Sequence, residues 1–242
     1  MKRLSQPEAI VFDTDNTLYP YEPAHAAAMD AVKAKATQRL GGLSEDFLEA
    51  YVSARASVKS RLGSTASSHS RLLYFHSALE RLGLKTNLLL SLELEQSYWS
   101  AFLNAAVLFP GVIDVFHEAK RQKIKLAIVT DLTAQIQFRK LIYFNIYGFF
   151  DGVVTSEEVG VDKPDPRAFS LVLEKLEVSN PGSVWMVGDN PISDISGALN
   201  QGMIAIQKTH YGVRRYSGTS ANYFSFFEYG ELLDMLCSVR KD

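Results

Sequence analysis

Cysteine is nearly absent from this 242-residue chain, in which Cys237 is the only one. A single cysteine excludes an internal disulfide, and such a composition is typical of proteins from a reducing compartment. Cys237 ends the C-terminal run 232–237, whose apolar residues have helical spacing. This spacing predicts a buried structural thiol and argues against a catalytic cysteine.

An excess of charge of either sign is also missing. The chain has 25 basic and 27 acidic side chains and a formal net charge of -2. This balance gives no global field that would collect nucleic acid or an anionic membrane. We therefore expect neither nucleic acid nor membrane as a partner, and any partner must be recognised locally.

The N-terminal region lacks a long hydrophobic run. Residues 1–7 are followed by a short apolar segment that soon meets Asp13 and Asp15, which fits neither a signal peptide nor a membrane span. We therefore expect a cytoplasmic protein. Hydrophobic residues at 47% and aromatic residues at 11%, without a low-complexity tract, are typical of a soluble globular protein that buries a core.

Short, unbroken apolar runs recur along the chain, as expected for strands buried on both faces of a parallel sheet. Five such runs lie at residues 9–12, 126–129, 152–154, 184–187 and 203–206. Stretches with helical character separate the later runs, at residues 133–144, 166–176 and 191–200. Because strand and helix alternate, the sequence predicts a doubly wound parallel α/β sheet.

The segment from about residue 23 to residue 106 has a different character. It contains no convincing buried strand, and its amphipathic patterns predict helices at 24–40, 47–62, 71–82 and 88–105. The polar stretch 63–70 between two of them predicts a loop. The sequence therefore predicts an all-helical insert directly after the first strand.

The end of the first predicted strand carries the run Asp13-Thr14-Asp15-Asn16-Thr17. Ligands gather at the carboxyl ends of strands in open α/β sheets, so both carboxylates are expected to face a crevice. Two aspartates at this spacing can divide the work, because one attacks phosphorus while the other moves protons. The alternative is a turn in which the Asp and Asn side chains cap a helix.

Two further polar residues follow predicted strands. Thr130 has a hydroxyl and neighbouring backbone amides that suit a phosphate oxygen, although it also fits a simple cap for the helix near Thr133. Lys163 lies in a loop with Pro164 and Pro166. Its ammonium can neutralise a nucleophilic carboxylate and an incoming phosphate, whereas an isolated lysine is usually a solvated surface charge.

The fourth predicted strand ends in Gly188-Asp189-Asn190, with Asp194 shortly afterwards. Magnesium prefers oxygen ligands and usually takes one or two carboxylates together with a substrate phosphate. Asp13, Asp189 and Asp194 can supply them. Asp194 equally fits a capping or hydrogen-bonding role within the helix turn.

These four elements, in this order and each after a predicted strand, resemble the motifs of the haloacid dehalogenase superfamily, and the match spans almost the whole chain. The resemblance implies a three-layer, Rossmann-like core made of residues 1–20 and 107–242. It also implies that residues 21–106 form a helical cap that closes over the active site, excludes water and contributes to specificity. Asp13 would be the nucleophile and Asp15 the general acid/base.

The resemblance also implies the ligands of phosphate and metal. It assigns phosphate binding to Thr130, Asp131 and Lys163, although many members carry Asn where Asp131 stands. The implied cofactor is Mg²⁺, with Asp15 contributing its backbone carbonyl and Asp194 a direct or water-mediated contact. The metal ligands implied are Asp13, Asp15, Asp189 and Asp194.

Members of this superfamily differ in chemistry. Asp15 favours phosphoryl transfer, because dehalogenases displace halide without an acid and typically lack this aspartate. A phosphomutase uses the same aspartate pair and differs chiefly in cap residues, so it stays open as an alternative. A non-catalytic binding module of the same fold also stays open, although no nucleophile or metal carboxylate is lost here.

The sequence thus predicts hydrolysis of a small phosphomonoester, with a phosphorylated metabolite such as a nucleotide or sugar phosphate as the partner. It does not indicate an oligomeric state. The insert offers five basic side chains as contacts to a polar substrate, although a solvated helix face is the simpler interpretation for most of them. They are Arg55, Lys59, Arg61, Arg71 and His76.

Overall fold

The computed structural model describes residues 4–239. The chain separates into two compact units, which we call the sheet unit, residues 1–20 with 107–242, and the helical unit, residues 21–106. Among the described residues, no helix is both long and apolar enough to cross a bilayer.

Residues 21–106 of the helical unit contain four α-helices. They are α1 (Tyr21–Leu40), α2 (Ser44–Leu62), α3 (Arg71–Arg81) and α4 (Leu88–Ala105). Polar caps explain where two of them begin, because Ser70 accepts from the Leu73 amide and Asn87 from the Leu90 amide. The predicted helices are confirmed, and the predicted loop includes a 3₁₀ turn at Ala66–His69.

Aromatic side chains dominate the core of the helical unit. Phe47, Phe75, Tyr98 and Phe102 are fully buried there. Arg71 packs against this cluster and donates to the Tyr21 hydroxyl at 2.6 Å, with its guanidinium 5.2 Å from the centre of the Tyr98 ring. The π faces and the phenol oxygen stabilise the cation in these surroundings.

Three other basic candidates of the insert have simpler surroundings. Arg55 and Arg61 are exposed, and His76 lies 3.3 Å from the carboxylate of Glu80 on the same helix. These positions agree with a solvated helix face. Arg71 alone among the three arginines is set against the aromatic core.

The described part of the sheet unit contains six parallel strands in the order β3-β2-β1-β4-β5-β6. The order reverses between β1 and β4, which is the position where open α/β sheets form a ligand crevice. The strands are β1 (Ala9–Phe12), β2 (Lys125–Thr130), β3 (Gly152–Thr155), β4 (Val184–Gly188), β5 (Ile204–Lys208) and β6 (Tyr223–Phe226).

Helices of the sheet unit connect and cover these strands. They are α5 (Val112–Arg121), α6 (Ala134–Tyr143), α7 (Ser156–Val159), α8 (Pro166–Lys175), α9 (Gly197–Asn200) and α10 (Tyr229–Ser238). A π-helical turn, Pro191–Ser196, directly precedes α9. Asp165 caps α8 by accepting from the Arg167 amide, as its place before the helix indicates.

Alternate residues of β1 show that the sheet is covered on both faces. Ala9 and Val11 share a buried cluster with Phe169 of α8, whereas Phe12 meets Phe116 of α5 with ring centres 5.2 Å apart. Successive side chains of a strand point to opposite faces, so α5 and α8 lie on opposite sides. The prediction of a three-layer α/β core is confirmed.

Two features of the sheet unit differ from the sequence prediction. Strand β6 was not predicted, because three of its four residues are only half-buried and the apolar run is interrupted by Ser225. The prediction that Cys237 is buried is wrong, since its side chain is exposed. Helix α10 buries Tyr229, Leu232 and Leu236, and the next residue is turned by about 100° away from that face.

Candidate active site

The carboxyl ends of the central strands bring the predicted site residues together. Asp13 follows β1, Asp189 follows β4, and Thr130 is the last residue of β2. The Asp13 amide donates to the Val187 carbonyl at 2.9 Å, which extends the pairing of β1 with β4 up to Asp13. The two aspartates therefore flank the point where the strand order reverses.

Three carboxylates form a compact cluster at this point. Asp13, Asp189 and Asp194 each place an oxygen within 4.8 Å of the others. Burial raises the pKa of Asp13 to about 7, although Lys163 opposes the shift. Burial, together with the charges of Asp13 and Asp194, raises the pKa of Asp189 to about 8. A hard cation would offset this repulsion, so the cluster fits Mg²⁺.

The ammonium of Lys163 is the positive charge within this cluster. It donates to Asp13 Oδ1 at 2.8 Å, to Asp194 Oδ1 at 2.6 Å and to the Val129 carbonyl at 3.0 Å. Burial alone lowers the pKa of Lys163, but Asp13 and Asp194 reverse this and hold it well above its usual value. The lysine is therefore a fixed cation and not a solvated surface charge.

Asp131 contributes to the position of Lys163. Its Oδ1 accepts from the Lys163 backbone amide at 2.9 Å, so the carboxylate ties the loop of Lys163 to the end of β2. Burial raises the pKa of Asp131, against the influence of Lys163. The structure places Asp131 beside the phosphate-binding candidates.

Asp194 is held from two sides. Its Oδ1 faces Lys163, and its Oδ2 accepts from the Asn190 amide at 2.9 Å. The capping of the turn itself is done by Asn190, whose Oδ1 accepts from the amides of Ile192 and Ser193. Asp194 thus combines a hydrogen bond within the turn with a place in the carboxylate cluster.

Thr130 points toward the loop after β1. Its hydroxyl lies 2.8 Å from the hydroxyl of Thr14 and accepts from Gln137 Nε2 at 2.8 Å. The alternative that Thr130 caps the following helix is wrong, because α6 starts only at Ala134 with Thr133 at the N-cap. The Thr130 hydroxyl is therefore part of a buried polar network beside Asp13.

The carboxylate of Asp15 has partners outside the carboxylate cluster. Its Oδ1 accepts from Lys140 Nζ at 2.7 Å and from the hydroxyl of Tyr19. The two aspartates of the opening motif are thus paired with different lysines, Asp13 with Lys163 and Asp15 with Lys140. The contact expected between metal and the Asp15 backbone carbonyl stays a prediction.

The sequence prediction missed several residues of the site. Gln137 and Lys140 are both fully buried on α6, three residues apart and thus on one helix face. Ile136 and Leu141 are buried beside them. Two polar residues within the buried face of a helix indicate function or a polar network. The sequence does not show which face of α6 is buried, because the apolar Phe138 and Ile142 are exposed.

Comparison with known proteins agrees with this geometry. Residues 7–202 match the haloacid dehalogenase-like hydrolase family. The chain belongs to this family. It is 40% identical over 200 residues to a ribulose-1,5-bisphosphate 5-phosphatase of Halopiger xanaduensis, a match that covers 81% of this chain and 82% of that protein. It is therefore a haloacid dehalogenase-like hydrolase of the phosphatase type.

Two further proteins resemble it over nearly the whole length. A glyceraldehyde 3-phosphate phosphatase of Methanopyrus kandleri is 31% identical, with 97% of this chain and 99% of that protein covered. The crystal structure of a 2-haloacid dehalogenase from Pseudomonas syringae superposes with a TM-score of 0.77 at 20% identity, covering 97% of this chain and 99% of that one. The second similarity shows the fold alone.

Proposed function

We propose that this haloacid dehalogenase-like hydrolase performs magnesium-dependent hydrolysis of a small phosphomonoester through an aspartyl-phosphate formed on Asp13. The observation that supports this is the position of Asp13. Its buried carboxylate follows the central strand at the switch point, salt-bridged to Lys163 and clustered with Asp189 and Asp194. Such a group is fixed and close to a cation, Lys163, that can hold a phosphate.

The reaction has two displacements at phosphorus. In the first, an Asp13 oxygen bonds to phosphorus, the bond to the leaving oxygen breaks, and Asp15 gives that oxygen a proton. In the second, Asp15 takes a proton from water as the water oxygen bonds to phosphorus, and the Asp13 carboxylate leaves. The enzyme returns to its starting state with Asp15 protonated.

The remaining site residues bind and orient the phosphoryl group. We assign contact with its oxygens to the Thr130 hydroxyl and the Lys163 ammonium, with Asp131 beside them holding the Lys163 loop. Asp13, Asp189 and Asp194 would hold Mg²⁺ together with the Asp15 backbone carbonyl. When bound, the ion supplies the counter-charge that lets a phosphate dianion approach these carboxylates.

The two units take the roles of core and cap in this proposal. The catalytic core is residues 1–20 with 107–242, and residues 21–106 are the helical cap, which contributes substrate specificity. The substrate is a small phosphorylated metabolite, for which a sugar phosphate is favoured because the relatives are named for ribulose bisphosphate and glyceraldehyde 3-phosphate. A cytoplasmic location stays a prediction.

A phosphomutase is the second candidate, because it uses the same pair of aspartates. The retained site, with Asp13, Asp15, Lys163 and Asp189 all present, favours an enzyme over a binding module. A mutase would return the phosphate from Asp13 to a sugar, whereas a phosphatase releases inorganic phosphate. Release of phosphate from sugar phosphates, followed in time, separates the two.

The proposed mechanism is tested by trapping the phosphoenzyme. Wild-type protein, magnesium and a ³²P-labelled phosphomonoester, quenched in acid within milliseconds, are expected to give labelled protein, and Asp13→Asn to give none. With p-nitrophenyl phosphate, whose leaving group needs little protonation, Asp15→Asn is expected to accumulate the label, because hydrolysis of the aspartyl-phosphate loses a base worth ~10²–10⁴-fold in rate. Labelled Asp13→Asn protein would remove the nucleophile from the proposal.

A further inference from the structure

A second buried lysine, besides Lys163, forms an ion pair with an aspartate of the candidate active site. Lys140 extends from the second turn of α6, its side chain is only 2% exposed, and its ammonium lies 2.7 Å from Asp15 Oδ1. Burying an ammonium is costly unless a specific partner compensates it. The partner here is the proposed general acid/base, whose side chain is 34% exposed and thus reachable by a substrate.

Three donors lie close to the same oxygen of Asp15. Lys140 Nζ and the Tyr19 hydroxyl both donate to Oδ1, and the Thr14 hydroxyl lies 3.4 Å from the same atom. A carboxylate oxygen that already accepts from a cation and a phenol is a poor site for a further proton. A proton on Asp15 is therefore carried by Oδ2.

The two donors are themselves fixed. A tight turn after Asp15, with Asn16 at a φ of 60° and the Leu18 amide bonded to the Thr14 carbonyl at 2.8 Å, brings Tyr19 back beside Asp15 in an isolated β-bridge. Tyr19 is 1% exposed. The Lys140 side chain is also buried, and it reaches Asp15 from a different element, so the two donors together favour one orientation of the carboxylate.

We propose that Lys140, assisted by Tyr19, is a positioning residue that holds Oδ1 of Asp15 and reserves Oδ2 for proton transfer. This inference rests on the proposed function. As the bond between phosphorus and the leaving oxygen breaks, its electron pair stays on that oxygen, which takes the proton of Oδ2. In the second step Oδ2 receives the proton of the attacking water. Lys140 touches neither substrate nor the reacting atoms.

The test compares two leaving groups, because only one needs the proton. An alkyl phosphate leaves poorly as an alkoxide, whereas p-nitrophenyl phosphate leaves with little protonation, and kcat/KM reports steps up to leaving-group release. Loss of orientation in Lys140→Met is expected to lower kcat/KM for the alkyl phosphate by ~10–100-fold. For the aryl phosphate we expect a change of less than about threefold, since that step does not use the proton.

Three variants make the test specific. Lys140→Arg keeps a cationic donor and is expected to recover most of the alkyl activity. Tyr19→Phe removes the other donor and is expected to show a smaller loss of the same kind, which keeps the test valid if Lys140→Met does not fold. Lys175→Met, at an exposed lysine paired with Glu158, is the matched control and should leave both substrates unchanged.

Equal losses for the aryl and alkyl phosphates in folded Lys140→Met and Tyr19→Phe would overturn the inference, because a general loss of packing or charge affects both alike. The proposed function is judged separately. It is supported by phosphoenzyme formation in the wild-type protein and its absence in Asp13→Asn. This outcome does not depend on the ratio of kcat/KM for the alkyl and aryl phosphates in the Lys140 variants.

Discussion

The side chain of Asp194 occupies the space that any side chain at Gly188 would need. A Cβ built on Gly188 would lie 2.4 Å from Asp194 Cβ and 2.5 Å from its carboxylate carbon. Gly188 is the last residue of β4, which pairs with β1 on one side and β5 on the other, so its backbone cannot move away. The close approach of Asp194 to the cluster thus depends on a glycine.

We expect Gly188→Ala to displace Asp194 and to break its 2.6 Å contact with Lys163. Overpacking of this kind costs about 1–3 kcal/mol of unfolding free energy. Displacement of Asp194, a proposed metal ligand, is expected to lower kcat/KM by ~10²-fold. Urea unfolding and steady-state kinetics measure the two effects. Gly148→Ala, where a Cβ meets no atom within 4 Å, is the control and should be close to wild type.

Lys163→Met is expected to destabilise the protein strongly in the absence of divalent ions. Removing this buried cation leaves Asp13 and Asp194 unpaired, which costs about 3–5 kcal/mol. Magnesium should raise the melting temperature of the variant more than that of wild type, because the ion replaces the missing positive charge. An equal rise in both proteins, measured by calorimetry with EDTA and with Mg²⁺, would contradict this.

Activity is expected to vanish with a chelator and to return when Mg²⁺ is added, since a phosphate dianion cannot approach the carboxylate cluster without a counter-charge. Asp189→Ala should need at least ~10-fold more Mg²⁺ for half-maximal activity, because one of the proposed ligands is lost. Asp234→Ala, an exposed aspartate on α10, serves as the control. Full activity after rigorous metal removal is the outcome that rules out this role.

Asp151 is expected to stabilise the fold through its ionised form. Its Oδ2 accepts from the Leu126 amide at the start of β2 and from Lys120 Nζ, each at 2.7 Å. Burial raises the pKa of Asp151, but these two bonds outweigh it and lower the pKa below its usual value. A lowered pKa means that the stabilisation is present at neutral pH and is lost as pH falls below about 4.

Asp151→Asn should therefore cost about 1 kcal/mol at pH 7, the usual contribution of such a hydrogen bond. The difference from wild type should shrink as the pH falls through the pKa of Asp151. Thermal unfolding of both proteins between pH 7 and pH 3 measures this. A difference that stays constant over the range would show that the charge of Asp151 contributes nothing.

Three parts of the site that the sequence predicted share one property, because each lies at the carboxyl end of a buried strand. Asp13, Thr130 and Asp189 could be assigned to one edge of the sheet because parallel strands end on the same side. Lys140 could not, since its contact with Asp15 joins residues 125 positions apart and depends on the rotation of α6. Helix orientation is a tertiary property that periodicity alone does not determine.

The local sequence pattern also gave wrong or missing predictions near the C-terminal end of the chain. Cys237 has helical spacing from its apolar neighbours, yet the face that α10 buries is centred on Leu232 and Leu236. Strand β6 lies at the edge of the sheet and is only half-buried over most of its length. Its sequence therefore lacks the clear apolar pattern from which a buried strand is predicted. For both α10 and β6, the neighbouring elements of the fold determine which face is buried.

The place of β1 in the sheet has a consequence for how the protein is made. Ile10 pairs with Leu126 on one side and with Trp185 on the other, and all four residues of β1 are fully buried. On the ribosome, this strand emerges long before either partner has been synthesised, and residues 21–106 come in between. The local contacts of four helices form quickly, whereas strand pairing over such separations is slow. The nascent chain therefore carries β1 as an unpaired apolar segment, a target for chaperones, until β2 has been translated, and one edge of β1 stays unpaired until β4 follows.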